Sequence, residues 1–255
     1  MPRVTQPAPT PTVGIIAAVT YIAIMGVGMW YMRAVTGVTY GDLAMFDTFW
    51  FVLILTNLGN LAFLIRYFGW QGAGFGKLRW KELVWFAPFF AVLAYKFAVN
   101  AGALAASPPS DAQWRQIAFL GAVIFLVGAG EEVAFRGLLL RSLLGRRNPL
   151  PAIIGSSVGF SLLHAVNILG GEPAPSVLYQ LGYTLLWGFM FAPLAIRLNS
   201  LWPLIIAHWF WDYFQFVTVI TQKAEAVRFD VWLYPVEFAI GAILTFQLWR
   251  GRAAH

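Results

Sequence analysis

The residues able to do chemistry gather in three short stretches: Glu131, Glu132 and Arg136 in "EEVAFR", His164 in "FSLLH", and His208 and Asp212 in "HWFWD". Each stretch lies in an apolar run, where an ionisable side chain costs about 2.5–3.5 kcal/mol to insert and so requires a partner or a function. Glu132 and Arg136 stand four apart with the acid on the N-terminal side, the favourable order for an ion pair across one helical turn. Glu131 points about 100° away around the same helix and is left over. His208 and Asp212 are also one turn apart and share a face. The third histidine, His255, ends the chain with nothing around it. No base is placed for the serines near His164 (Ser156, Ser157 and Ser161), and there is no cysteine, so an activated water is the expected nucleophile. A carboxylate, two imidazoles and a second carboxylate on three helices suit a hydrolytic or metal site.

Such a site needs helices that bring its members to one depth. Of 255 residues, 60% are hydrophobic and only 11% charged, far too few charges to coat a soluble domain of this length. Apolar runs close to bilayer length recur at 13–32, 44–65, 83–106, 117–140, 151–169, 176–196, 201–221 and 231–249. The expectation is an all-α polytopic transmembrane bundle of about eight spans, one membrane-embedded domain over 13–249. The Pro/Thr-rich tail at 1–12 is expected to be disordered. Counted from the nearer span ends, Glu131 lies about 15 Å, His208 about 12 Å and His164 about 20 Å into the membrane, one layer within boundary error.

On this topology Arg66, Lys77, Arg79, Lys81, Arg136, Arg141, Arg146, Arg147, Arg197, Arg250 and Arg252 join Arg3 on one side. Only Arg33, Arg115, Lys223 and Arg228 fall on the other. This bias places both termini in the cytoplasm. It assigns the net charge of +6 to topology and anionic lipid rather than to nucleic acid. Trp30, Trp70, Trp80, Trp114, Trp202 and Trp249 fall near span ends, as an aromatic belt requires, whereas Trp187, Trp209 and Trp211 do not. The Gly-rich basic segment 67–82 is expected along the membrane surface. Lys96 has Asp47 as a possible partner, or else lines a water-filled cavity; Glu237 falls in the last span. "GSSVG" (155–159) offers a small-residue face for close packing of the helix that bears His164.

The three stretches match a known motif set in order and spacing: two glutamates and, after three intervening residues, an arginine; a Phe and a His separated by three; a His followed four residues on by Asn or Asp. In this respect residues 117–221 resemble the CAAX protease and bacteriocin-processing (Abi, type II CAAX prenyl endopeptidase) family. The resemblance implies an eight-span intramembrane endopeptidase. Glu131 and His164 would activate the water, as base and partner or as metal ligands; His208 and Asp212 would hold the oxyanion or complete a metal site. Glu132, Arg136 and Phe160 would support them. Where relatives carry Asn, an amide donates to an oxyanion, but an ionised Asp212 cannot. That departure favours a divalent metal, zinc by default, held by Glu131, His164, His208 and Asp212.

The substrate implied is a membrane-associated or lipidated protein, reached through a hydrated cavity open to the cytoplasm. The membrane implied for a prokaryotic chain is the plasma (inner) membrane. Two rivals remain: a non-catalytic scaffold or immunity-type protein that keeps the motifs for structure, and a proton- or metal-coupled transporter using the same buried groups.

Overall fold

Where no water is at hand, a chain this apolar must satisfy its backbone hydrogen bonds internally, and helices do so within one segment. The computed structural model describes residues 9–145 and 148–253, and among them it is helical, with only an isolated bridge between Phe75 and Ser200 in place of a sheet. Eight long helices follow in order among these residues: α1 (Pro11–Tyr31), α2 (Met45–Phe63), α3 (Ala87–Ala106), α4 (Asp111–Glu132), α5 (Leu150–Leu163), α6 (Ala174–Leu198), α7 (Trp202–Thr221) and α8 (Asp230–Ala253). Seven helical segments are long and apolar enough to cross a membrane. The exception is α7, whose 20 residues include His208, Asp212, Tyr213 and Gln215. The protein is an integral, multi-pass, all-α membrane protein.

The eight helices correspond to the eight apolar runs, with shifted ends. α1 already begins at Pro11, because Thr10 caps it by accepting from the Val13 N–H at 3.4 Å. The rest of the tail, residues 1–8, lies outside the described residues, as do Arg146, Arg147 and His255. α4 starts at a capping box formed by Ser110 and Gln113 and continues past Glu132 through a π-helical turn, Val133–Leu139. The six tryptophans assigned to span ends are all exposed, and Trp187 is buried.

Close packing around α4 and α5 depends on small residues. A Cβ on Gly128 would sit 3.1 Å from the Trp209 backbone nitrogen, so α7 meets α4 directly beside His208. A Cβ on Gly188 would sit 2.9 Å from Ser157 Cα, which fixes α6 against α5. Within "GSSVG", Gly155 and Gly159 face Leu143 and Leu139 beyond the end of α4. The segment 67–82 is not simply laid on the membrane surface: the Gly76 N–H donates to Asn199 O at 2.9 Å and the Arg79 N–H to Leu198 O at 3.0 Å, tying it to the α6–α7 corner.

Candidate active site

α4 delivers Glu131 and Glu132 as its last two residues before the π-helical turn, a backbone feature frequent at functional sites. Inside that turn the Phe135 carbonyl accepts from Ser156 Oγ of α5 at 2.9 Å. From the opposite side α2 contributes Asn57 and Asn60, whose amides donate to the carbonyls of Leu126 (2.9 Å) and Gly130 (2.8 Å). The glutamate-bearing segment is thus gripped by polar side chains on both neighbours.

The adjacent carboxylates meet different surroundings. Glu132 is fully buried; its Oε1 accepts from Arg136 Nη1 at 2.9 Å and lies 2.9 Å from His208 Nδ1. Arg136 is also fully buried and sits 3.9 Å over the Phe160 ring, so one face of its guanidinium meets π density. Glu131 is 4% exposed, and its Oε2 has no hydrogen-bond partner; His208 Nε2 stands 3.9 Å away. The leftover carboxylate of the sequence therefore has an oxygen without a hydrogen bond in space too, with His208 at the edge of ion-pair range.

His208 is held at both nitrogens. Nδ1 faces Glu132, and Nε2 lies 3.3 Å from Asp212 Oδ2, one turn along α7. Since an ionised carboxylate only accepts, each ring nitrogen is placed to donate. His164 opens a 3-10 turn (His164–Ile168) directly after α5. Its Nδ1 is 3.0 Å from the Phe160 carbonyl, which requires the proton on Nδ1 and leaves the Nε2 lone pair available. Phe160 meets both imidazoles edge-on, at 5.1 Å and 6.0 Å between ring centroids. Glu131, His164, His208, Asp212 and Phe160 line one cavity of about 460 Å³, with Glu132 and Arg136 behind it.

The cavity's far wall holds residues that sequence reasoning left unassigned. Lys96 pairs with Asp230 at 2.7 Å rather than with Asp47, which is exposed at the start of α2. Gln215 Nε2 donates to the same Asp230 oxygen at 2.9 Å. Asn167 donates to Gln180, and Gln180 to the Tyr40 hydroxyl at 3.1 Å. Burial pushes the Tyr40 hydroxyl up to about 12, so it stays a neutral donor. Tyr40, Gln180 and Asp230 lie at the bundle end where α5 finishes and α8 begins, away from Arg66, Arg141, Arg197 and Arg250. The cavity therefore extends away from the basic end. Polar groups of the last two helices, which pair only in three dimensions, line this direction.

The arrangement does not fit the zinc ion expected from the resemblance. Among the described residues no three His, Asp or Glu side chains group as one ion requires. Both nitrogens of His208 are directed at carboxylates, and only His164 Nε2 presents an unengaged lone pair.

A family model described as type II CAAX prenyl endopeptidase Rce1-like matches residues 113–214. That interval runs from the first turn of α4 to the middle of α7 and contains all seven motif residues. No curated protein and no solved structure matches the chain.

Proposed function

We propose that the chain, whose residues 113–214 match a type II CAAX prenyl endopeptidase Rce1-like model, is an intramembrane endopeptidase using Glu131 as general base. The observation that carries this is the buried, unpartnered Glu131 Oε2 on the cavity wall, beside a Glu132 already engaged by Arg136 and His208. Glu131 takes a proton from a water whose second hydrogen donates to His164 Nε2. The water oxygen attacks the scissile carbonyl carbon. His208 Nε2–H donates to the oxyanion as it forms, with Asp212 and Glu132 holding the ring in direction. Glu131 then passes its proton to the departing amine, the C–N bond breaks, and an amine and a carboxylic acid leave. The acid gives its remaining proton to the amine by way of His164 Nε2, so that the products are an ammonium and a carboxylate. No step runs through a metal.

The substrate class follows from the site's setting: a membrane-associated protein whose chain can enter a cavity between helices. The family's description points to a prenylated C-terminal tail. On the loop charge bias, which would put both termini in the cytoplasm, the cavity would face the opposite side of the membrane and favour substrates presented there. A cysteine at Gln180 in this cysteine-free chain then reacts with a membrane-impermeant maleimide from outside spheroplasts; protection there, with labelling only in inverted vesicles, reverses the assignment.

Terminal-peptide proteomics on cells expressing the wild type or Glu131→Gln tests the proteolytic reading. New termini should appear with the wild type alone, and the purified variant should be about a hundred- to ten-thousandfold slower, the range for loss of a general base. Identical termini at equal membrane levels would sink the reading and leave a scaffold.

A further inference from the structure

The wall facing the catalytic groups contains a carboxylate for which the proposed hydrolysis has no use. Glu237, on α8, is 3% exposed, lines the cavity, and has its Oε2 buried without a hydrogen-bond partner. No ion pair involves it among the described residues, whereas the other acidic residues lining the cavity each face a cation or an imidazole. A lone carboxylate at this depth is expensive, and a helix needing only to pack would be better served by an apolar side chain.

Two residues of the same wall, Asp230 and Trp211, already accommodate an ammonium group from behind it. The Lys96 ammonium, fully buried, lies 2.7 Å from Asp230 and 4.0 Å over the Trp211 ring, a carboxylate and an aromatic face together. Glu237 shares the cavity with similar parts, and no ion pair to it occurs among the described residues. Tyr183 and Tyr234 stack with centroids 6.0 Å apart and planes 4° from parallel, and both line the cavity. Asp230 keeps a second oxygen, Oδ1, buried and unpartnered.

We propose that Glu237, with Tyr183 and Tyr234, forms a subsite for a cationic group of the substrate, a lysine or arginine side chain near the scissile bond. The inference rests on the proteolytic reading for the guest being a peptide, but its geometry is independent of catalysis. The subsite would select membrane peptides carrying one basic residue within an otherwise apolar stretch. The carboxylate stabilises a charge that such a stretch would otherwise hold in lipid at a cost.

The test separates binding from cleavage. Glu131→Gln protein in nanodiscs is titrated with a fluorescent apolar peptide bearing one lysine, and with its twin bearing norleucine, the lysine being moved along the peptide in a series. At one or two positions the lysine peptide should bind at least about tenfold tighter, as expected for one charge-assisted hydrogen bond. Adding Glu237→Gln should abolish that advantage, and Glu237→Asp should keep part of it. Equal affinity of the twins at every position overturns the subsite, with no need for a Glu237 variant to fold. An advantage that survives Glu237→Gln overturns it as well. A lysine advantage in a protein whose wild type cleaves nothing would uphold the subsite and defeat the proteolytic reading instead.

Discussion

Around His208, each charged side chain faces an opposite or polar partner: Arg136 and His208 both lie 2.9 Å from Glu132 Oε1, and Asp212 lies 3.3 Å from His208 Nε2. Across the cavity α8 presents Glu237 with no ion-pair partner among the described residues and one oxygen unpartnered. The first pole is locked, since removing any member strands another charge in the interior. The second is left open at a cost in stability and stays available to a group that arrives from outside. Glu131 belongs to both poles: it borders the locked network through His208 at 3.9 Å, yet neither of its oxygens has a hydrogen bond like the two that engage Glu132 Oε1. Its Oε2, like Glu237 Oε2 and Glu132 Oε2, is buried without one. The contrast teaches that sequence adjacency says little about role here. Glu131 and Glu132 differ by one residue, yet Glu132 lies 2.9 Å from both Arg136 and His208 while the nearest ion-pair neighbour of Glu131 is His208 at 3.9 Å.

The largest effect expected from this contrast is at the locked pole. Arg136→Met should destabilise the protein by about 3–5 kcal/mol, the usual result of leaving one member of a buried pair unpaired. Unfolding in detergent micelles reads this directly, and the double variant Glu132→Gln/Arg136→Met should recover much of the loss. A loss below about 1 kcal/mol, the level of an exposed pair, would show that the pole is not locked.

At the open pole the sign reverses. Glu237→Gln should stabilise the free protein by about 1 kcal/mol, because a buried acceptor without a partner carries a penalty that a smaller charge demand relieves. The same unfolding assay measures it. Destabilisation would mean that Glu237 is already partnered in the free protein, and the two poles would then be built alike.

Much of the locked pole was legible in the sequence, because its logic is local. The Glu132–Arg136 spacing is one helical turn, as is that of His208 and Asp212, and the depth count placed Glu131, His164 and His208 in one layer. The Glu132–His208 contact was not legible, since it joins residues 76 apart and depends on Gly128 admitting α7. The supports from Asn57 and Asn60 were hidden for a similar reason: amides on an apolar helix say nothing of which carbonyl they will meet. The open pole was the least legible. Lys96 could be matched to Asp47 by span number alone, but α3 packs on α7 near the start of α8, so its partner is Asp230.

The smallest expected effect is a null one, and it bears on Asp212. Where a metal held the site together, Asp212 and His208 would be ligands, and the Glu132 contact to Nδ1 would serve to aim Nε2 at the ion. On the proposed mechanism Asp212 has a role without metal: lying 3.3 Å from His208 Nε2, it would keep that nitrogen directed into the cavity until a carbonyl oxygen replaces it. Prolonged dialysis of the purified protein against EDTA should therefore leave the cleavage rate unchanged, and elemental analysis should find no stoichiometric zinc. Asp212→Asn should retain activity, since an amide can still accept from the imidazole through its carbonyl and can donate to the oxyanion through its NH₂. Loss of activity on chelation with recovery on adding zinc would instead make Asp212 a ligand. It would also require Glu131, His164 and His208 to close on the ion from the positions seen here, turning the locked pole into one that moves when its metal binds.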